Sequence, residues 1–370
     1  MRFTVHAEDI NHSLNLVTRS LPVKTSKDAY EGVFVETTDE GVQFTCTNGE
    51  MSIKTLTPAQ ISEDGCALLP AKLLSELLRK MTGEINIQTE ENRSALITSQ
   101  GNKTTMMCLN PDGFPDIEDI HGGFVTTLPQ NRLREAVGRV TFAIATDGLR
   151  PILTGCLMET YADDVRFICL DGFRLAMQRI AVSHELPAGR EMVSSVLPGA
   201  IIGEISRMVA DSADPVEIHC TATHLMASFN KTKVYCPLIP GEFINYKQIL
   251  PTSWTTAIRV DKAELMNAIE RAAVIARENS SNLMKLKIEE DSLTIMANSE
   301  RSSVVERVGV DFEGSPLSIA FSAKYLSDVI KNIDTQDLAL RFNTNVSPCV
   351  ICPVSGNQYT YLVLPVRVSE

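Results

Sequence analysis

The chain has 370 residues, of which 44% are hydrophobic and 22% charged, with a formal net charge of −12; this is a globular composition, long enough for two or three domains with their own cores. No run of about eighteen apolar residues occurs, so no membrane span and no membrane partner are expected, and nine cysteines without an export signal read as reduced thiols. The acidic total argues against nucleic acid unless the charge is unevenly distributed.

"MRFTVHAEDI" alternates and then turns polar at once, unlike a signal peptide, and a cytoplasmic location is expected. It also opens a pattern: apolar Val5, then Ile10 five residues on, then Leu14 four further. This is the spacing of a strand end feeding a helix face. "GVQFTCTNGEMSIKT" follows as two alternating strands around Asn48-Gly49, a strong hairpin signal. The corner then returns in "LLPAKLLSELLRKM" with Leu69, Leu74 and Leu78. After Gly122-Gly123 comes a third copy, with Leu128, Leu133 and Val137. "DVRFICLDGFRLAMQ" repeats the hairpin, turning at Asp171-Gly172. In the fourth corner Leu197 and Ile202 fit, Ser206 fills the last slot, and Ile205 takes over its apolar role. Past Trp254, Val260, Leu265 and Ile269 form the fifth, and "DSLTIMANSERSSVV" turns at Asn298-Ser299. Phe321, Leu326 and Ile330 complete the sixth.

Six matches spaced roughly sixty residues apart define a repeat. Each half-unit predicts one helix and about four strands, and two half-units predict a domain of roughly 120 residues. The expected architecture is α+β, with three tandem domains over residues 1–123, 124–254 and 255–370. The connections are too short for free linkers, and open sheet edges invite pairing, so neighbouring domains are expected to share continuing sheets.

Charge is distributed unevenly along this pattern. The six helical stretches (residues 6–20, 71–82, 129–141, 198–211, 261–277 and 322–333) sum to +3, leaving −15 elsewhere. Helices gathered on one surface would make it mildly basic, able to hold a phosphate backbone without reading bases; solvated helix faces are the alternative reading.

Catalytic and metal motifs are thin. Cys349 and Cys352 form one C-x-x-C, but a strand points residues three apart to opposite faces. His219, Cys220 and His224 meet the same objection, and no second pair stands at zinc spacing. No Walker loop, dinucleotide fingerprint or G-x-S-x-G occurs, so no cofactor and no metal are expected. Two rival readings remain open: a cysteine hydrolase using a residue such as Cys169, and a repeat-built cytosolic peptide-binding scaffold that never meets DNA.

Specific stretches add a resemblance. "MRFTV", "NPDGFPDI", "LRPILTGCLME", "DGFRLA", "PGEFINYKQILP" and "YTYLVLPVRV", in this order over essentially the whole chain, resemble the bacterial DNA sliding clamps, the DNA polymerase III beta subunits. The resemblance implies a non-catalytic ring around duplex DNA, helices inside and sheets outside, closed by a head-to-tail homodimer. Implied partners are double-stranded DNA without sequence preference, the polymerase III catalytic subunit, the clamp loader and other proteins carrying a clamp-binding motif.

Residue by residue, the resemblance places DNA contacts at Lys24, Lys72, Arg79, Lys80 and Arg150, and leaves none at Gly199-Ala200, where clamps often carry basic residues. The dimer contact falls on Met106 and on Val274 and Ile275. A partner-peptide cleft is implied between the second and third domains. Its second-domain side is Leu153, Leu170, Gly172, Phe173, Arg174 and Leu175, with Ile244, Gln248 and Ile249. Its third-domain side is Tyr325, Val346, Pro348, Leu362, Leu364, Pro365, Val366 and Arg367. Leu175, Leu364 and Val366 are expected as its floor, Arg174 and Arg367 as its rim, and Tyr325 as a movable wall. Phe173 stands where the family often has His, Gln248 where it often has Arg, and Ile244 where it has Pro, which leaves the peptide preference open.

Overall fold

A computed structural model of the chain describes residues 1–90, 93–278 and 282–367. Six α-helices occur in it: α1 (Ala7–Val17), α2 (Ala71–Leu78), α3 (Gln130–Gly138), α4 (Gly199–Met208), α5 (Lys262–Ala276) and α6 (Ala323–Lys331). Each begins on the residue after a strand: Arg2–His6, Cys66–Pro70, Phe124–Pro129, Val193–Pro198, Thr256–Asp261 or Leu317–Ser322. Three of these strands end in proline, which donates nothing to a ladder and has its φ already fixed. Before α5, Asp261 caps instead, its Oδ1 accepting from Glu264 N at 2.9 Å.

The corner spacing is a burial pattern. All the apolar corner residues, from Val5, Ile10 and Leu14 to Phe321, Leu326 and Ile330, are buried, Ile202 and Ile205 included. Positions five and then four residues on place a strand end and two successive helix turns against one core. Each helix is followed by three strands, giving four per half-unit; the additional short strands Gln60–Glu63 and Asp311–Gly314 occur in the first and fifth.

The chain divides into two compact units, one of Met1–Asn131 with Glu204–Leu238, the other of Arg132–Gly203 with residues 239 onward. The first contains a five-stranded and an eight-stranded sheet, the second a nine-stranded and a four-stranded sheet. In the eight-stranded sheet, Ser52–Thr57 pairs antiparallel with Thr232–Pro237, Thr55 opposite Thr232 and Ile53 opposite Val234. In the nine-stranded sheet, Arg174–Ala181 pairs in the same way with Tyr359–Val363, Leu175 opposite Leu362. The third strand following a helix thus meets its counterpart three half-units further along the chain, and the two sheets continue through these pairings. The corresponding strands Asn102–Met107 and Ser303–Gly309 remain edges of the five- and four-stranded sheets. No helix among the described residues is long and apolar enough to cross a membrane.

Candidate functional site

In the second compact unit several of the predicted cleft residues meet around one turn. Asp171 Oδ1 accepts from the backbone N–H of Phe173 at 2.9 Å and of Arg174 at 3.0 Å. Gly172 takes φ +92°, where a side chain is strained. The same turn in the first unit uses Asn48 as acceptor and Gly49 at φ +90°. The turn holds Phe173 out, 56% exposed, and sends Arg174 inward.

Beneath it, Leu153, Leu170, Leu175 and Leu362 belong to one buried cluster with Leu157, Ile168 and Tyr246. Ile244 and Leu364 pack against that cluster, partly buried. Leu364 N–H donates to Phe173 O at 2.9 Å and Val366 N–H to Ala320 O at 2.8 Å, so the final described segment is held between the turn and the strand before α6. The Phe173 ring stacks on Tyr325 with centroids 5.5 Å apart. Gln248, Ile249, Val346, Val366 and Arg367 are exposed, while Pro348 and Pro365 are partly buried. An apolar floor beside open backbone and aromatic surface suits a short extended peptide with apolar anchors.

Arg174 differs from its expected place at the rim. It is only 8% exposed, lying beneath Tyr325 with its guanidinium 4.8 Å from that ring. It donates to Asp171 Oδ2 at 2.9 Å, Asp328 Oδ2 at 2.6 Å and Phe142 O at 2.7 Å. Such a group orients the turn and α6, with little left for a ligand. Burial, then the carboxylate of Asp171, push the Tyr325 phenol up. Asp328 and Phe142 were missed in the sequence because each lies far from Arg174 along the chain and belongs to no local motif.

The predicted cations are all exposed, Lys24, Lys72, Arg79 and Lys80 in the first unit and Arg150 in the second. Lys24 follows Val23, 93% exposed, in the loop after α1; Arg150 follows Leu149, 85% exposed, in the loop after α3. These two neighbours, an apolar side chain held in solvent before a cation, were not singled out from the sequence. Arg79 donates to Asn15 Oδ1 of α1 at 2.8 Å. Several other helical cations are neutralised locally. Arg139 pairs with Glu135 and Asp334, Arg207 and Arg19 with Glu204, and Arg271 with Glu306. Lys72 on α2, and Arg79 and Lys80 just after it, are in none of these pairs. At Gly199, a Cβ would lie 2.6 Å from Thr154 O and 2.5 Å from Ile144 Cδ1, so close packing accounts for the glycine in the fourth corner.

At the expected dimer contact, Met106 is buried, 5% exposed, and its neighbour Met107 is 62% exposed on the free edge strand. Val274 is 61% exposed and Ile275 partly buried on α5. Val305, on the other free edge, is 62% exposed. Arg271 of α5 holds Glu306 of that strand through two hydrogen bonds of 2.8 and 2.6 Å.

Burial works against Cys169 as a nucleophile. Cys169 is fully buried, and burial, then neighbouring Cys156, raise its thiol well above the ordinary range, opposite to what a nucleophile needs. Cys349 is likewise pushed up by burial. No group of three or more potential metal ligands occurs among the described residues.

Family models of the DNA polymerase III beta subunit match this chain in order: the N-terminal domain over residues 1–118, the central domain over 127–245 and the C-terminal domain over 247–367. A beta sliding clamp of Staphylococcus aureus is 25% identical over 378 aligned positions, covering 99% of each chain. Among solved structures, the DNA polymerase sliding clamp of Bacillus subtilis is similar with a TM-score of 0.94 at 26% identity, covering 100% of both chains. A DNA polymerase III beta subunit described from Eubacterium rectale gives 0.93 at 26% identity, again over 100% of both.

Proposed function

The chain belongs to the DNA polymerase III beta subunit family, and on that premise we propose that it works as a DNA sliding clamp: a ring-shaped homodimer that encircles duplex DNA and tethers the replicative polymerase. The role is non-catalytic. The observation that carries the reading is the six-fold corner with sheets shared at both internal junctions, which leaves one free counterpart strand in each compact unit. A heterologous contact between those two edges on different copies closes a ring. Exposed Met107 on one edge, and Val305 with Val274 and Ile275 beside the other, support it, with Met106 lying just beneath. The boundaries we assign are 1–123, 124–254 and 255–370, with helices on the inner surface and sheets outside.

Lys24, Lys72, Arg79, Lys80 and Arg150 would meet phosphates without reading bases. The cleft around Leu175, Leu362, Leu364 and Tyr325 would take a motif with two or three apolar anchors from the polymerase III catalytic subunit, the clamp loader and other partners, in the cytoplasm. Two large aliphatic or aromatic anchors contribute roughly 1.5–3 kcal/mol each, and after the ordering cost of the peptide micromolar affinity is expected.

The test is topological. Loaded onto nicked circular DNA, the protein should remain through a high-salt wash and run off when the circle is cut. Equal retention on circular and linear DNA would remove encirclement, and a persistent monomer by light scattering would remove the ring.

A further inference from the structure

The only tryptophan in the chain, Trp254, stands 44% exposed on the connection leading into the third domain. The guanidinium of Arg341 lies 4.0 Å from its ring centroid. Arg341 is on the strand Asp337–Phe342, opposite Val350, and forms no ion pair with a carboxylate of the described residues. Other strand and helix arginines of this unit, such as Arg259 and Arg271, do pair with one. Trp254, Arg341, Pro348 and Val350 line a small niche of about 30 Å³. Pro348 belongs to the proposed peptide cleft, and Val350 packs on its buried cluster. The loop that follows the strand Asp337–Phe342 is tied to the residues on either side of Trp254, since Asn343 Nδ2 donates to Ser253 O at 2.8 Å and Thr255 Oγ1 donates to Asn343 O at 2.7 Å. Trp254 and Arg341 thus share a niche with Pro348 and Val350 in the same compact unit.

We propose that the Trp254–Arg341 platform extends the peptide cleft and takes an acidic side chain flanking the apolar anchors of a partner peptide. The reading rests on the cleft proposed above. A guanidinium held over an indole can present N–H groups to a carboxylate in two-pronged geometry. The indole supplies apolar surface and holds the cation in place, which lessens the ordering cost of binding. A lone exposed arginine would hold an acid only weakly; the stack is what makes it a site.

The single tryptophan also supplies the readout. Synthetic peptides with a Gln and a Leu-Phe anchor pair are prepared with two aspartates on either flank, and again with asparagines in their place. Calorimetry on the full dimeric chain reports the cleft, and tryptophan emission reports the platform. With aspartates on one flank, emission should shift and affinity should rise about five-fold over the asparagine peptide, the range of a well-formed exposed charge pair. In Arg341→Gln that ratio should fall to near one, and in Arg341→Lys, which keeps the charge but not the planar stack, it should be intermediate. Equal affinities of the aspartate and asparagine peptides for the native chain would overturn the proposal, as would an undiminished ratio in Arg341→Gln. Failure of the asparagine peptide to bind at all would instead strike the cleft reading, so the two are separable.

Discussion

Arg174 occupies a position that looks, in a linear sequence, like a rim cation beside an exposed Phe173. In the folded chain its donors are taken by Asp171, Asp328 and the Phe142 carbonyl, and its side chain is only 7% exposed. Removing one member of such a buried set strands the carboxylates that faced it. Arg174→Leu should therefore lower unfolding stability by about 3 kcal/mol, read by urea denaturation, and weaken peptide binding by loosening the turn against α6. A stability within error of the native chain would mean that Arg174 does not organise the turn. The turn itself was legible: Asn48-Gly49 and Asp171-Gly172 announce a side-chain acceptor followed by a left-handed glycine, and both adopt it. The third copy does without glycine, Ser299 Oγ accepting from Ser302 N–H at 3.0 Å.

Strand pairing at the two internal junctions gives a rule for the third, unmade one. Aligning the repeats on their hairpin turns, Asn48, Asp171 and Ser299 are equivalent acceptors. Aligning the partner hairpins on their turns, Asn102 corresponds to Thr232. Ile53 opposite Val234 and Ala176 opposite Tyr361 then both place Val304 opposite Thr104 of a second copy. Directly opposed strand residues lie close enough for a disulfide. A Thr104→Cys, Val304→Cys double variant, oxidised mildly, should run as a covalent dimer on a non-reducing gel, and each single variant should not. Cross-linking that instead favours position 305 with 104 would show a different register, and none at any neighbouring pair would place the interface elsewhere. On the edge strand, Met106, where the resemblance put the contact, is buried, and Met107, which it did not name, is 62% exposed. Neighbours on a strand face opposite sides, and two identical residues carry no pattern to tell which is which.

For the whole molecule, the net charge of −12 is a misleading guide to its ligand. What a duplex would meet is the set of cations left unpaired, and ion pairs such as Arg271–Glu306 and Arg139–Asp334 subtract from the helices what counting by helix credits to them. Lys24→Glu, Arg79→Glu and Arg150→Glu together should reduce retention on nicked circles at low salt and flatten its salt dependence, by about 0.9 in log–log slope for each phosphate no longer neutralised. Exposed charges distant from a core cost at most about 0.5 kcal/mol, so the thermal midpoint and the dimer should persist; unchanged retention would take these residues off the DNA path. The sequence by itself determined the repeat, the six corners and the hairpin turns, because each is set by periodicity within about fifteen residues. It also carried the family, through motifs kept in order along the chain. Only the tertiary structure decided that Arg174 lies inside, that Met107 and Val305 stand on edge strands, that Gly199 answers to a carbonyl 2.6 Å from where its Cβ would be, and that Trp254 lies against Arg341. Each of these depends on residues far apart in the chain meeting, and burial and pairing at such distances follow from how the sheets join, which no local pattern encodes.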